Sequence, residues 1–304
     1  EDISDRALST LIAMLLSSDP ETERNACCTI ANLMESPDLH NRFITEKGLS
    51  PIVALALSDD MNCKGEASRA IANLSTNSEI QKEIIQEGAL NYMVETLKDG
   101  DMNCQRFAAL CIANLATTAS TQIYIVQCGA ISPLVNLINS SANHTDVYRH
   151  SALAITNLSS LSANHQALLE HGSLEAIFAL ANTSDPITQH YASCALSNFC
   201  SNSRNHQYLV EEGGLQPIIA FAYNEDTEIH SYAVAALCGL SITHDIKMKI
   251  VQEGGLEPLT RLFHTDDLEV LRNVASAMCN LSMSEENKFE ISKCGALPSL
   301  IVHM

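Results

Sequence analysis

Basic residues are scarce in this chain of 304 residues: 17 Lys and Arg stand against 36 Asp and Glu, a formal net charge of −19. A field of that sign repels the phosphate backbone of nucleic acid, so no nucleic-acid partner is expected. Long apolar runs are missing too. Although 46% of the residues are apolar, no stretch approaches the roughly 18 residues of a membrane span. No signal peptide opens the sequence, and the first residue is Glu1 rather than Met. The chain is therefore expected to be a piece of a longer protein. Any membrane attachment is expected to be indirect, through a lipidated segment outside it.

The usual signatures of chemistry are also lacking. The 11 Cys and 11 His include no C-x-x-C, no H-E-x-x-H and no clustered ligand spacing, and adjacent Cys27 and Cys28 fall on different faces of a helix. The Gly pairs at 213–214 and 254–255 end helices rather than follow strands, so they are not phosphate loops. Acidic turns such as Asp59-Asp60 and Asp266-Asp267 lack the ligand series of a calcium loop and read as solvated surface. Neither a metal, a cofactor nor catalysis is expected. Unpaired Cys at apolar positions, such as Cys28, Cys111, Cys194 and Cys279, suit a reducing compartment, so the chain is expected in the cytoplasm. N-x-Ser/Thr triplets at Asn73, Asn157 and Asn280 fall inside helical pattern, where a glycan would block packing, which favours the same compartment.

What the chain does have is a repeat. Met102 to Leu115 places Phe107, Leu110, Cys111, Ile112 and Leu115 at three- and four-residue steps with Ala between them, the pattern of a closely packed buried helix. Near-copies end at Asn32, Asn73, Asn114, Asn157, Asn198, Gly239 and Asn280, with steps of 41, 41, 43, 41, 41 and 41 residues. A period of about 40 to 47 residues is the mark of stacked helical units that cannot bury their apolar faces alone. One continuous all-α solenoid is the expected fold, with three helices per repeat of about 41 residues.

Each repeat predicts a short helix carrying an apolar pair, such as Ile84-Ile85 or Ile250-Val251. It stops at Gly88, Gly129, Gly172, Gly213, Gly254 and Gly295, where a left-handed residue is cheap only for Gly; Lys47-Gly48 holds that place in the first repeat. A second helix follows, with Pro near its start at Pro51, Pro133, Pro217, Pro258 and Pro298, then a polar turn and the third helix. Residues 1–37 read as a two-helix partial repeat opened by Asp19-Pro20, 38–283 as six full repeats, and 284–304 as a truncated one, leaving Leu297, Leu300, Ile301 and Val302 without a following helix. The two extra residues of the 43-residue step fall in the turn 139–145.

Counting back four and eight residues from each marker traces one side of each third helix. Arg24, Arg69, Arg106, Arg149, His190 and Arg272 recur on that stripe together with Asn32, Asn73, Asn114, Asn157, Asn198 and Asn280. Asn is poor in a helix interior unless its amide has work to do, and an amide suits gripping the C=O and N–H of an extended peptide. The alternative is that these amides cap or bridge neighbouring repeats. Arg presents a fork that fits carboxylates, so the ligand is expected to be an acid-containing segment of a protein partner; the alternative pairs these Arg with the chain's own Glu21, Glu23, Glu66 and Glu269. Gly239, with Ala235 and Ser231, reads either as a shallow apolar gap or as drift.

The recurring (I/L)(I/V)xxG, then G(A/G)(I/L)xP(L/I), then a third helix ending LxNLS resembles the armadillo repeat, as GAISPLVNLI, GGLEPLTRLF, GALPSLIVHM, YASCALSNF and NVASAMCNLS illustrate. The resemblance runs from Ala7 to Met304. It implies a right-handed superhelix with a concave groove of third helices, a non-enzymatic scaffold or adaptor, and peptide contacts from the marker Asn. The regular 41-residue units are most similar to armadillo-only scaffolds of the vacuolar and organelle-tethering type, which implies the cytosolic face of an organelle. A cytoskeletal or myosin-handling armadillo module, and a metabolite-sensing armadillo segment of a larger enzyme, stay open. Importin-α-like capture of basic peptides needs Trp four residues before the marker, and this chain contains none.

Overall fold

A computed structural model describes residues 3–140 and 144–294, residues 3–5 by their backbone only. Among these residues every regular element is helical. The truncated repeat beyond Cys294, with Gly295, Pro298 and its apolar residues, lies outside them, as do residues 141–143 of the lengthened turn. The backbone groups into two compact units, Glu1–Leu158 and Ser159–Met304.

Within each unit the repeat is built as its sequence dictates. In unit 1 the first helices are His40–Thr45, Gln81–Gln86 and Ala119–Gln127, and the second are Leu49–Ala56, Ala89–Asp99 and Ile131–Ser140. The third helices, preceded by an opening helix Ile3–Met14, are Pro20–Leu33, Met61–Leu74, Met102–Leu115 and Thr145–Ser159. Unit 2 repeats the plan with third helices Pro186–Cys200, Thr227–Leu240 and Leu268–Ser282. Consecutive third helices pack on one another inside each unit.

The bend from first to second helix requires a left-handed residue. Gly88, Gly129, Gly172, Gly213 and Gly254 take φ between 75° and 93°, and Lys47 takes φ 61° in the same register. A side chain there costs about 1 kcal/mol or more. The core lies between the helices of each triplet: Ile71, Leu74, Ile112, Leu115 and Ala109 in unit 1, and Leu196, Phe199, Val234 and Leu237 in unit 2, are essentially inaccessible.

The acidic turns have a specific structural task. Asp60 accepts the backbone N–H groups of Asn62 and Cys63, Asp101 that of Cys104, Asp226 those of Glu228 and Ile229, and Asp267 those of Glu269 and Val270. Asp19 does the same for Thr22. Each is the N-cap of a third helix, satisfying donors that have no partner in the helix. Asp59, Asp266 and Asp267 are exposed, as expected of solvated surface, and Asp60 and Asp267 serve as caps besides.

Candidate functional site

The marker residue of each repeat meets the end of the preceding third helix. In unit 1 the Nδ2 of Asn73 donates to Ala31 O (3.2 Å), that of Asn157 to Ala113 O (2.9 Å), and that of Asn114 to both Ala72 O (3.3 Å) and Ser75 Oγ (3.1 Å). Asn32 has no preceding third helix and instead accepts Arg69 Nη2 at 2.7 Å. In unit 2, Asn198 donates to Ser159 Oγ and Asn280 to Ser241 Oγ, both at 3.0 Å. The amide N–H groups therefore bridge repeats. The Oδ1 atoms of Asn73, Asn114, Asn198 and Asn280 accept nothing from the described residues, and these side chains are half-exposed.

Gly239 follows from the same geometry. A Cβ at this position would sit 2.6 Å from the carbonyl oxygen of Cys200, so the helix Thr227–Leu240 approaches its predecessor more closely than a side chain permits. The residue two places after each marker predicts the pattern: Ser75, Ser159 and Ser241 give the next Asn a hydroxyl, whereas Cys200 is followed by Gly239. The gap is a close backbone contact, not drift.

The stripe's cations are largely engaged. Arg24 Nε meets Asp60 at 2.5 Å, Arg106 Nη1 meets Asp146 at 3.2 Å, and Arg69 meets Glu35 at 2.8 Å and Glu66 at 2.6 Å. Hydrogen bonding from Arg24, then from the Cys63 N–H, holds the Asp60 carboxyl below its ordinary range. Arg149 is half-buried and also has a partner within the chain. His190 lies 3.3 Å from Glu228, an ion pair only when the imidazole is protonated, with its ring edge-on to Tyr232. Arg272 is exposed and makes no ion pair among the described residues. Of the acids expected as partners, Glu66 is one; Asp60, Glu35 and Asp146 come from neighbouring repeats.

A second series of polar side chains escaped the sequence reading. Eight residues after successive markers lie His40, Gln81, Gln122, His165 and His206, all buried. Gln81 donates to Ser75 O and Asn114 O, and Gln122 to Ala116 O and Asn157 O, so each ties a helix end to the next marker. The histidines meet the corresponding carbonyls through Nε2: Met34 O, Ser159 O and Cys200 O. Asn205 adds a bond to His165 Nδ1 at 2.7 Å, which fixes His165 as the neutral Nε2–H tautomer. Burial lowers the His165 pKa. The mixture of His and Gln hid the period; a shared need to satisfy orphan carbonyls was the available signal.

Among the described residues no group of three or more His, Cys, Asp or Glu is placed to hold a metal ion. No single helix among them is long and apolar enough to cross a membrane. Burial raises the thiol pKa of Cys104 and Cys111 to about 12 and pushes that of Cys27 and Cys200 up further, so these are protonated core residues.

Residues 120–160, 202–242 and 243–283 match the armadillo/beta-catenin-like repeat family, each segment ending three residues past a marker. The fold is that of an armadillo-repeat protein. An engineered protein shares it at TM-score 0.89 and 26% identity, over 97% of this chain and 73% of its own. A designed armadillo repeat protein in complex with the peptide (KR)4 matches at TM-score 0.71 and 26% identity, over 77% of this chain and 99% of its own. Beta-catenin, from a study of its phosphorylation-controlled interaction with cadherin, matches at TM-score 0.84 and 19% identity, over 98% of this chain and 60% of its own. No curated protein matches. The armadillo subtype is left open by these likenesses.

Proposed function

We propose that this armadillo chain is a non-enzymatic cytoplasmic scaffold that holds an extended, acid-containing segment of a protein partner on its third-helix faces. The observation that carries the reading is the row of half-exposed Asn Oδ1 atoms, each at the same register and held in place by its own N–H. Because the donors are spent on the preceding repeat, the grip falls on the N–H groups of the ligand backbone. Two similar folds are described with peptide or cadherin partners, which supports peptide binding here.

Acid preference rests on exchange. A solvent-exposed ion pair contributes about 0 to 1 kcal/mol, so a ligand carboxylate can replace Asp146 on Arg106 at little cost. That pair lines a shallow recess of about 460 Å³ between the starts of the helices Met102–Leu115 and Thr145–Ser159. Arg272 is open to a carboxylate directly.

The test is a pull-down from cell extract with the wild type beside a variant carrying Asn114→Ala, Asn157→Ala and Arg149→Glu. Partners lost from the variant, with far-UV circular dichroism unchanged, support the reading. Retention of every partner rejects it. Protection by a nucleotide or metabolite in a thermal shift screen would favour a sensor segment instead.

A further inference from the structure

Three residues past each marker, the third helix ends and the chain turns. Unit 1 places Thr76 and Thr117 there, each hydroxyl donating to the marker carbonyl, at 2.7 and 2.8 Å. In unit 2 Ser201 does the same for Asn198. The next two repeats break the rule: Ile242 is 65% and Met283 69% exposed.

These two positions lie at adjoining helix ends. The hydrogen bond from Asn280 to Ser241 ties the two helix ends together, with Ile242 next to Ser241 and Met283 one turn beyond Asn280. Gly239, one turn before Ile242, offers no side chain. A large exposed apolar pair where four other repeats carry hydroxyls, at Thr76, Thr117, Ser160 and Ser201, marks an interaction surface. Its rim is acidic: Asp245, Glu285 and Glu286 are all exposed and open the helices that follow. The helices that follow also meet, Asn287 Nδ2 donating to Lys247 O at 3.1 Å. Lys288 is engaged with Glu285, which leaves the rim net negative.

We infer that Ile242 and Met283 form a docking patch for a partner segment that presents a pair of apolar side chains beside Lys or Arg. The apolar pair covers Ile242 and Met283 and the cations meet Asp245 and Glu286. This patch lies at the helix ends of unit 2 and does not depend on the Asn row.

The probes are three fluorescein-labelled 12-residue peptides: two Leu flanked by Lys and Arg, two Leu flanked by Asp and Glu, and two Ala flanked by Lys and Arg. The variant is Ile242→Thr with Met283→Thr, which installs the residue that unit 1 uses at the same register and so preserves folding. Fluorescence anisotropy should show the first peptide binding the wild type about tenfold more tightly than either other peptide, and about tenfold more tightly than the variant. The variant Asn114→Ala, Asn157→Ala and Arg149→Glu should bind it as the wild type does. Equal affinity for the Thr variant, equal binding of the acidic peptide, or loss in the Asn variant would each overturn the proposal. So would concentration-dependent dimerisation of the wild type in sedimentation that the Thr variant abolishes, since a second copy would then be the occupant.

Discussion

Unit 1 and unit 2 share one repeat but complete it with different chemistry. In unit 1 the marker amides reach main-chain carbonyls, the stripe carries Arg24, Arg69 and Arg106 in ion pairs, and Thr closes the helix ends. In unit 2 the amides reach serine hydroxyls without a main-chain carbonyl, one marker is Gly239 against the Cys200 carbonyl, His190 and Ser231 stand at stripe positions beside Arg272, and Ile242 and Met283 are bare. The buried frame is common because every repeat must cover the same faces. The exposed register is free to differ, and that is where the two units acquire separate binding character.

The sharpest way to break this comparison is to impose unit 1 chemistry on unit 2. Gly239→Asn places a Cβ against Cys200 O, a backbone atom that cannot rotate away; the expected loss is about 2 to 3 kcal/mol in urea denaturation. Adding Cys200→Ser should not rescue it. Full rescue would mean that the missing hydroxyl, not the close approach, selected glycine.

Next come the amides. Asn114→Ala forfeits two hydrogen bonds and Asn280→Ala one, so losses of about 2 and about 1 kcal/mol are expected. Equal losses would erase the distinction. The caps provide a control, since Asp101→Ala in unit 1 and Asp226→Ala in unit 2 should each cost about 1 kcal/mol.

Lys47→Gly substitutes the residue that the other repeats use at this bend and should gain about 0.5 to 1 kcal/mol. The same denaturation curves would show it. The mildest effect is a slope with pH. Burial lowers the His165 pKa beneath its ordinary 6.5, so the folded state binds fewer protons than the unfolded one. Stability is full above pH 6.5 and declines as pH falls through and below it. His165→Gln, copying Gln81 and Gln122, should flatten that slope in hydrogen exchange of the neighbouring amides; an unchanged slope would move its origin elsewhere.

Much of this was legible in the residues. The Gly series announced the left-handed bends, and the first-repeat exception at Lys47 was visible as an exception. The Asn row was visible too, but its partner was not. An amide in a helix can face a ligand or the repeat before it, and nothing local distinguishes the two. The Arg stripe was visible as well, but two of its partners were not, for the same reason: Asp60 and Asp146 lie 36 and 40 residues from Arg24 and Arg106, separations that only stacking closes.

The sequence by itself determined the helices, their order, the bends and the stacked-repeat fold, because periodicity, caps and left-handed residues act over a few positions. Tertiary structure alone decided which polar groups are spent inside the protein. It assigned the marker N–H groups to the preceding repeat, the acids to caps and cations, and the buried His and Gln to helix ends. It also left Ile242 and Met283 uncovered. Whether a side chain is satisfied or available depends on what the neighbouring repeat brings within about 3 Å, and that distance is fixed only when the repeats pack.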